Sequence, residues 1–158
     1  MKIKIRAYQS HEAKELADLF YHTVHSINSA DYTVEELNVW APTPIDYKKW
    51  QLRFDVTRPL VAEIEGRIVG FAELKDNGHI DCFYVHRDFQ RQGVGKRLME
   101  EILDRSAEKG LSELVTEASI TAKPFFISCG FITVSPHTVK QGNYTLKNYI
   151  MKKVVAVP

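Results

Sequence analysis

The segment from His79 to Gly110, HIDCFYVHRDFQRQGVGKRLMEEILDRSAEKG, constrains this chain most. It reads as a strand, a glycine-bearing turn and an amphipathic helix in direct succession. Ile80, Cys82, Phe83, Tyr84 and Val85 form a run rich in β-branched and aromatic residues, which predicts a mostly buried strand. From Val94 onward, Leu98, Met99, Ile102 and Leu103 recur at helical spacing, with Lys96, Arg97, Glu100, Glu101, Asp104 and Arg105 on the other faces. Lys109 and Gly110 supply a basic last turn and a left-handed stop. Between strand and helix lies Gln90-Arg91-Gln92-Gly93-Val94-Gly95. Such a turn leaves amide N–H groups unpaired at a helix N-terminus, where the helix dipole favours negative charge. Arg91, Lys96 and Arg97 add positive charge, so the turn is suited to a phosphate or pyrophosphate.

Spacing narrows the ligand. A Walker A loop requires Gly, four residues, then Gly-Lys-Ser/Thr; here Gln90 takes the first glycine position and Arg97 follows Lys96. The dinucleotide fingerprint G-x-G-x-x-G would need a third glycine where Leu98 stands. What remains is Q-x-x-G-x-G after a strand, which resembles motif A of the GCN5-related N-acetyltransferases (GNAT family). Ala122-Lys123-Pro124-Phe125-Phe126-Ile127-Ser128-Cys129-Gly130-Phe131 resembles that family's motif B, one helix and one strand later. The resemblance covers Leu60 to Phe131.

The totals set the class. The chain has 158 residues, 44% of them hydrophobic and 26% charged, with a formal net charge of +1. That size and balance fit one domain with a proper core, spanning residues 1–158, and argue against a general nucleic-acid binder. No apolar run reaches transmembrane length, and MKIKIRAYQS lacks a signal-peptide block. Cys82 and Cys129 lack metal-ligand spacing, so no metal is expected and reduced thiols in a cytoplasm are the default.

Along the chain, Met1 to Tyr8 reads as a strand, and Ser10 as the N-cap of a helix striped by Ala13, Leu16, Phe20, Val24 and Ile27. Thr33-Val34-Glu35-Glu36 is a capping box opening a short helix through Trp40, and Asp46 caps another carrying Tyr47, Trp50 and Phe54. The aromatics between Tyr32 and Trp50 suit either closure of a core or the wall of an acceptor pocket. Strands follow at Leu60 to Glu65, Arg67 to Leu74, and Leu111 to Ala118. A helix from Thr121 to Cys129 and closing strands at Phe131 to Ser135 and Tyr144 to Val155 complete the order. The expected fold is α/β (α+β type): a single GNAT-like domain with a mixed central sheet and helices on both faces. The alternating apolar residues from Tyr149 to Val157 suit either an internal closing strand or the edge of a homodimer.

The resemblance implies a function and a site. It implies a sheet splayed at the cofactor site and transfer of an acetyl group from acetyl-CoA to an amine, on a small molecule or peptide, within a ternary complex. Main chain of Phe83, Tyr84 and Val85 would hold the pantetheine arm, with an N–H there polarising the thioester carbonyl. Amides of Arg91, Gln92, Gly93, Val94, Gly95 and Lys96 would hold the pyrophosphate, and Phe125 and Phe126 would pack on the cofactor. Many relatives carry a tyrosine acid where this chain has Phe126, and an asparagine where it has Ser119. A free alkylamine has a pKa near ~10 and needs a base or a local field to become nucleophilic. Glu73, Asp81 and Glu117 compete for that role, with Glu73 ranked first by its place on the strand before motif A. Tyr144, Ser128 and Cys129 are the choices for an acid. A module that binds CoA without transferring the acyl group is the alternative.

Overall fold

The structure, a computed structural model, describes residues 2–155. Met1, at the head of the expected first strand, and the 156–158 stretch, which includes Val157 of the apolar C-terminal segment, lie outside the described residues. Seven strands form one mixed sheet in the order β1-β2-β3-β4-β5-β7-β6. In chain order they are β1 (Ile3–Ala7), β2 (Leu60–Ile64), β3 (Arg67–Leu74), β4 (His79–Val85), β5 (Glu113–Ser119), β6 (Ile132–Gln141) and β7 (Tyr144–Val154). The helices are α1 (Ala13–Ser26), α2 (Val34–Trp40), α3 (Tyr47–Thr57), α4 (Val94–Glu108) and α5 (Lys123–Ser128). Tight turns make β2, β3 and β4 antiparallel neighbours, whereas β5 follows a helical crossover and lies parallel to β4.

Helices cover both faces, as the apolar stripes require. Leu98, Met99 and Ile102 of α4 and Phe126 of α5 bury against Ala62, Val69, Ile80 and Leu114 on one side of the sheet. Leu16, Phe20 and Val24 of α1, Leu37 of α2 and Phe54 of α3 bury against Val61, Ile68, Phe71 and Cys82 on the other. Area removed from water is the main stabilising term, worth roughly 25 cal/mol per Å² of apolar surface.

Local rules explain the starts of α2 and α3. The Thr33 capping box forms, with Glu36 N–H donating to Thr33 Oγ1 at 3.1 Å and Thr33 N–H to Glu36 Oε1 at 2.9 Å. Asp46 Oδ1 caps α3 by accepting from Lys49 N–H at 3.0 Å. Ser10 departs from expectation: its hydroxyl donates to Asp55 Oδ1 at 2.8 Å, and a 3-10 turn over Ser10–Glu12 precedes α1. Gln9 N–H donates to Glu12 Oε1 at 2.9 Å, half of a capping box around that turn, and α1 itself starts without a side-chain cap. The sixth strand also departs. It runs through Pro136 to Gln141 rather than stopping at Ser135. β6 is the outermost strand, bonded only to β7, and an edge strand has one open side where a missing N–H costs nothing.

Candidate active site

The sheet opens between β4 and β5. These strands pair only at His79 with Val115 and Ile80 with Thr116, yet β4 runs on to Val85 and β5 to Ser119. On its other edge β4 stays paired with β3, matching Ala72 with Phe83, Phe71 with Tyr84 and Gly70 with Val85. The His86 N–H bond to the Val69 carbonyl, at 2.8 Å, fixes which antiparallel pairs exchange hydrogen bonds. By alternation, the main-chain groups of Phe83 and Val85 point away from β3 and into the gap. Thr23 Oγ1 and Gln90 Nε2 already donate to the Val85 carbonyl, at 3.0 and 2.8 Å. The N–H groups of Phe83 and Val85 and the Phe83 carbonyl are left for an added strand-like ligand.

At the head of β4 the chain reverses through a 3-10 turn over Arg87–Phe89, and Gln90 folds back to brace it. Arg91 and Gly93 both take positive φ, +58° and +87°, and α4 starts at Val94 with no side-chain cap. Among the described residues, the amides of Gly93, Val94, Gly95 and Lys96 have no hydrogen-bond acceptor; the first helical bond is Arg97 N–H to Gly93 C=O at 3.0 Å. Four aimed N–H groups at a helix start make an anion cradle. Gly93 is there for its left-handed backbone. Gly95 has a different reason: a Cβ on it would lie 3.0 Å from Phe125 Cε1. Phe125 and Phe126 both pack on Phe83, with ring centroids 5.2 and 5.6 Å away.

Phe126 is 3% exposed and also meets Phe131 at 5.2 Å, so it belongs to the core, with Phe125 the half-exposed ring of the pair. Motif B thus contributes packing under the gap. Ser119 Oγ accepts from Asn28 Nδ2 and from Ala122 N–H, at 3.3 and 3.0 Å. It ties the free end of β5 to the α1–α2 connection.

On the face opposite α4 a cleft of about 720 Å³ opens beside the gap. Trp40, Trp50, Tyr32 and Tyr84 wall it, and His79, Asp81 and Glu117 lie in it. The aromatics do both jobs that the sequence left open. Trp50 stacks on buried Phe54 at 5.1 Å and meets Phe20 at 4.8 Å while also presenting a face to the cleft.

The three carboxylates occupy different surroundings. Glu73 sits at the β3 bulge, 0% exposed, and does not line the cleft. It accepts from Arg53 Nε and Nη2 at 3.1 and 2.6 Å, Thr57 Oγ1 at 2.6 Å and Cys82 N–H at 3.3 Å. Burial alone would raise its pKa, but the Arg53 and Thr57 hydrogen bonds outweigh burial and hold it below the usual carboxylate range. Asp81 is exposed, 3.0 Å from Arg53 Nη2 and 3.5 Å from Lys75 Nζ. Glu117 stands beside it at the closed end of the gap, next to the last paired rung, and meets His79 Nε2 at 2.5 Å. His79 carries no motif and was not singled out by its residue type; the strand register alone would have paired it with β5.

The candidate acids scatter. Tyr144 opens β7 at the hairpin end, four residues before Asn148, the partner of the last β5 residue. That is roughly 13 Å along the strand. It does not line the cleft. Cys129 lies at the end of α5, where burial raises its thiol pKa, and Ser128 donates to the Phe125 carbonyl at 2.5 Å.

Comparison with known proteins agrees with this geometry. The acetyltransferase (GNAT) domain model matches residues 28–152. The chain is 32% identical over 150 residues, 95% of each protein, to the uncharacterized N-acetyltransferase YafP of Escherichia coli K12. A GCN5-related N-acetyltransferase from Rhodopseudomonas palustris superposes with a TM-score of 0.92 at 30% identity, covering 98% of this chain and 96% of that one. The Salmonella typhimurium protein yncA, solved with acetyl-CoA, shares the fold at 19% identity and a TM-score of 0.73, covering 98% of this chain and 94% of its own. With a family model spanning most of its length and a relative matched end to end, the chain belongs to the GNAT acetyltransferase family and is an acyltransferase.

Proposed function

We propose that this protein transfers the acetyl group of acetyl-CoA directly to a primary amine held in the aromatic cleft. The single observation that carries the reading is the gap between β4 and β5, with the unpaired amides of Gly93 to Lys96 at its upper end. A pantetheine arm added along Phe83 and Val85 would leave its pyrophosphate on those amides, and a Phe83 or Val85 N–H would polarise the thioester carbonyl. The thioester would then face the cleft that Trp40, Trp50 and Tyr84 wall. Acetyl-CoA in the yncA structure supports the choice of donor.

Within this reading Asp81 draws the ammonium of the acceptor toward the thioester. Glu73 has every oxygen engaged and no face in the cleft, so its part is to hold Arg53, which in turn positions Asp81. The thiolate leaves without a dedicated acid, since a thiol has a reference pKa near ~8.5. Tyr144 has no proton-transfer part. A module that binds CoA without catalysis would have no use for an open acceptor cleft beside the thioester, and this cleft favours transfer.

A thermal-shift titration with acetyl-CoA, CoA, ATP and NAD, followed by a free-thiol assay with a panel of primary amines, tests the reading. The expected result is a rise in Tm with the two CoA species alone, and thiol release that depends on added amine. No Tm shift with either CoA species at saturation would sink it.

A further inference from the structure

His79 and Glu117 form an imidazole–carboxylate pair at the closed end of the gap; Glu117 alone was one of the three candidate bases, and the proposed function above does not use the pair. His79 pairs with Val115 at the last rungs joining β4 to β5, and Glu117 stands two residues further along β5, on the same face. Both side chains line the cleft. Nε2 of His79 meets Glu117 Oε2 at 2.5 Å. Nδ1 has no hydrogen-bond partner among the described residues, and no buried side-chain nitrogen or oxygen there goes unsatisfied, so Nδ1 is open to water. The backbone beneath is fixed: His79 N–H donates to Asn77 Oδ1 at 3.0 Å, and its carbonyl accepts from Lys75 N–H at 2.9 Å.

We propose that this pair accepts the proton that the acceptor's ammonium must lose before attack. The proposal rests on the acetyl-transfer reading above. Glu117 accepts from Nε2–H, which sets the tautomer and leaves the Nδ1 lone pair free and open to water. This is the arrangement by which a carboxylate makes an imidazole an effective base. His79 lies four residues below Phe83, roughly 13 Å along the strand, so the proton crosses through water in the cleft. The ammonium N–H bond breaks, and the proton passes to Nδ1 while Glu117 stabilises the imidazolium. The amine lone pair then forms the C–N bond, the C–S bond breaks, and the second amine proton ends on the departing sulfur. The products are the amide, CoA thiol and one proton held on the pair.

The charged groups around the pair are already engaged or stand at the rim. Asp81 of β4 is bonded to Arg53 of α3 and Lys75 of the preceding turn. Lys152 of β7 is 3.1 Å from Glu113 Oε2, and His137 of β6 is held by Asn148 at 2.7 Å. Asp46 and Lys49 at the start of α3, with Lys147 of β7, line the outer cleft. Among the described residues, Glu117 is the one carboxylate that touches the imidazole.

The test compares paired acceptors of similar shape: strongly basic alkylamines such as benzylamine, and arylamines such as aniline, which are already neutral at pH 7. Thiol release is followed for the wild type, His79→Gln and Glu117→Gln, with the acetyl-CoA thermal shift recorded for each. His79→Gln should lower kcat/KM for the alkylamine about 100-fold at pH 7, move the acid limb of its pH profile up toward the amine's own pKa, and lower kcat/KM for the arylamine less than about threefold. Glu117→Gln should follow with a smaller loss, at an unchanged acetyl-CoA shift. Equal losses for both amine classes, or none, would overturn the proposal while leaving acetyl transfer standing. Absence of amine-dependent thiol release in the wild type would overturn the transfer reading itself, and the proton-acceptor role with it.

Discussion

Arg53 grips Glu73 through two nitrogens, with Nη2 at 2.6 Å and Nε at 3.1 Å, and the same Nη2 reaches Asp81 at 3.0 Å on the cleft side. One guanidinium therefore joins a fully buried carboxylate to an exposed one. Removing one partner of such a pair strands the other charge. Glu73→Gln is expected to cost about 2–3 kcal/mol in urea denaturation, below the range for a wholly buried pair because Arg53 reaches solvent. A change under about 0.5 kcal/mol would show that the pair is not a structural anchor.

The same carboxylate makes stability depend on acid. Its folded-state pKa is depressed, so its contribution is fully present above the unfolded value of ~4.3 and is lost as pH falls through the folded pKa. Chemical denaturation between pH 7 and pH 3 should find a shallower acid-side decline in Glu73→Gln than in the wild type. Parallel declines would assign the acid sensitivity to other carboxylates.

Gly95 is confined by the Phe125 ring. Gly95→Ala places a Cβ about 3.0 Å from Phe125 Cε1, and overpacking of this kind costs about 1–3 kcal/mol. Phe125→Leu in the same chain should recover at least half of that loss. If the double variant is no better than the sum of the singles, the ring is not the obstacle.

Phe126→Tyr buries a hydroxyl where the ring is 3% exposed. An unsatisfied buried hydroxyl costs about 1–3 kcal/mol, so the variant should be less stable. Turnover should not rise as much as tenfold. A larger gain in the thiol-release assay would mean that protonation of the leaving sulfur limits the rate.

Thr23 and Gln90 both donate to the Val85 carbonyl, joining α1 to the turn that carries the anion cradle. Net hydrogen-bond worth is about 0.5–1.5 kcal/mol, so Thr23→Val or Gln90→Ala should weaken acetyl-CoA binding about 2–10-fold by calorimetry. Unchanged affinity in both would free the turn from any dependence on α1.

The strand–turn–helix unit, the helix caps at Thr33 and Asp46 and the order of elements along the chain were readable because they follow local rules. The continuation of β6 past Pro136 was not, since proline's tolerance depends on which strand ends up outermost. Glu73 looked like a cleft carboxylate because its strand position is right. Only the tertiary fold brings Arg53, twenty residues earlier, onto it. Gly95 was legible as part of the anion-binding turn, but not that a ring thirty residues away leaves no space for a side chain there. His79 escaped notice for a similar reason, since its partner Glu117 arrives by register across a helical crossover.

The two-rung seam between β4 and β5 divides the sheet into a half formed by β1 to β4 and a half formed by β5 to β7. In the sheet the halves meet at those two residue pairs and the His79–Glu117 bond; elsewhere they are joined by the core under α4 and by Tyr32, which accepts from Ile120 N–H and donates to the Lys147 carbonyl. A strand-like molecule laid into the opening would act as a missing plank between two decks. Substrate would then be structural material as well as reactant, and each turnover that expelled it would leave the sheet itself joined at two rungs, with the core under α4 holding the halves together.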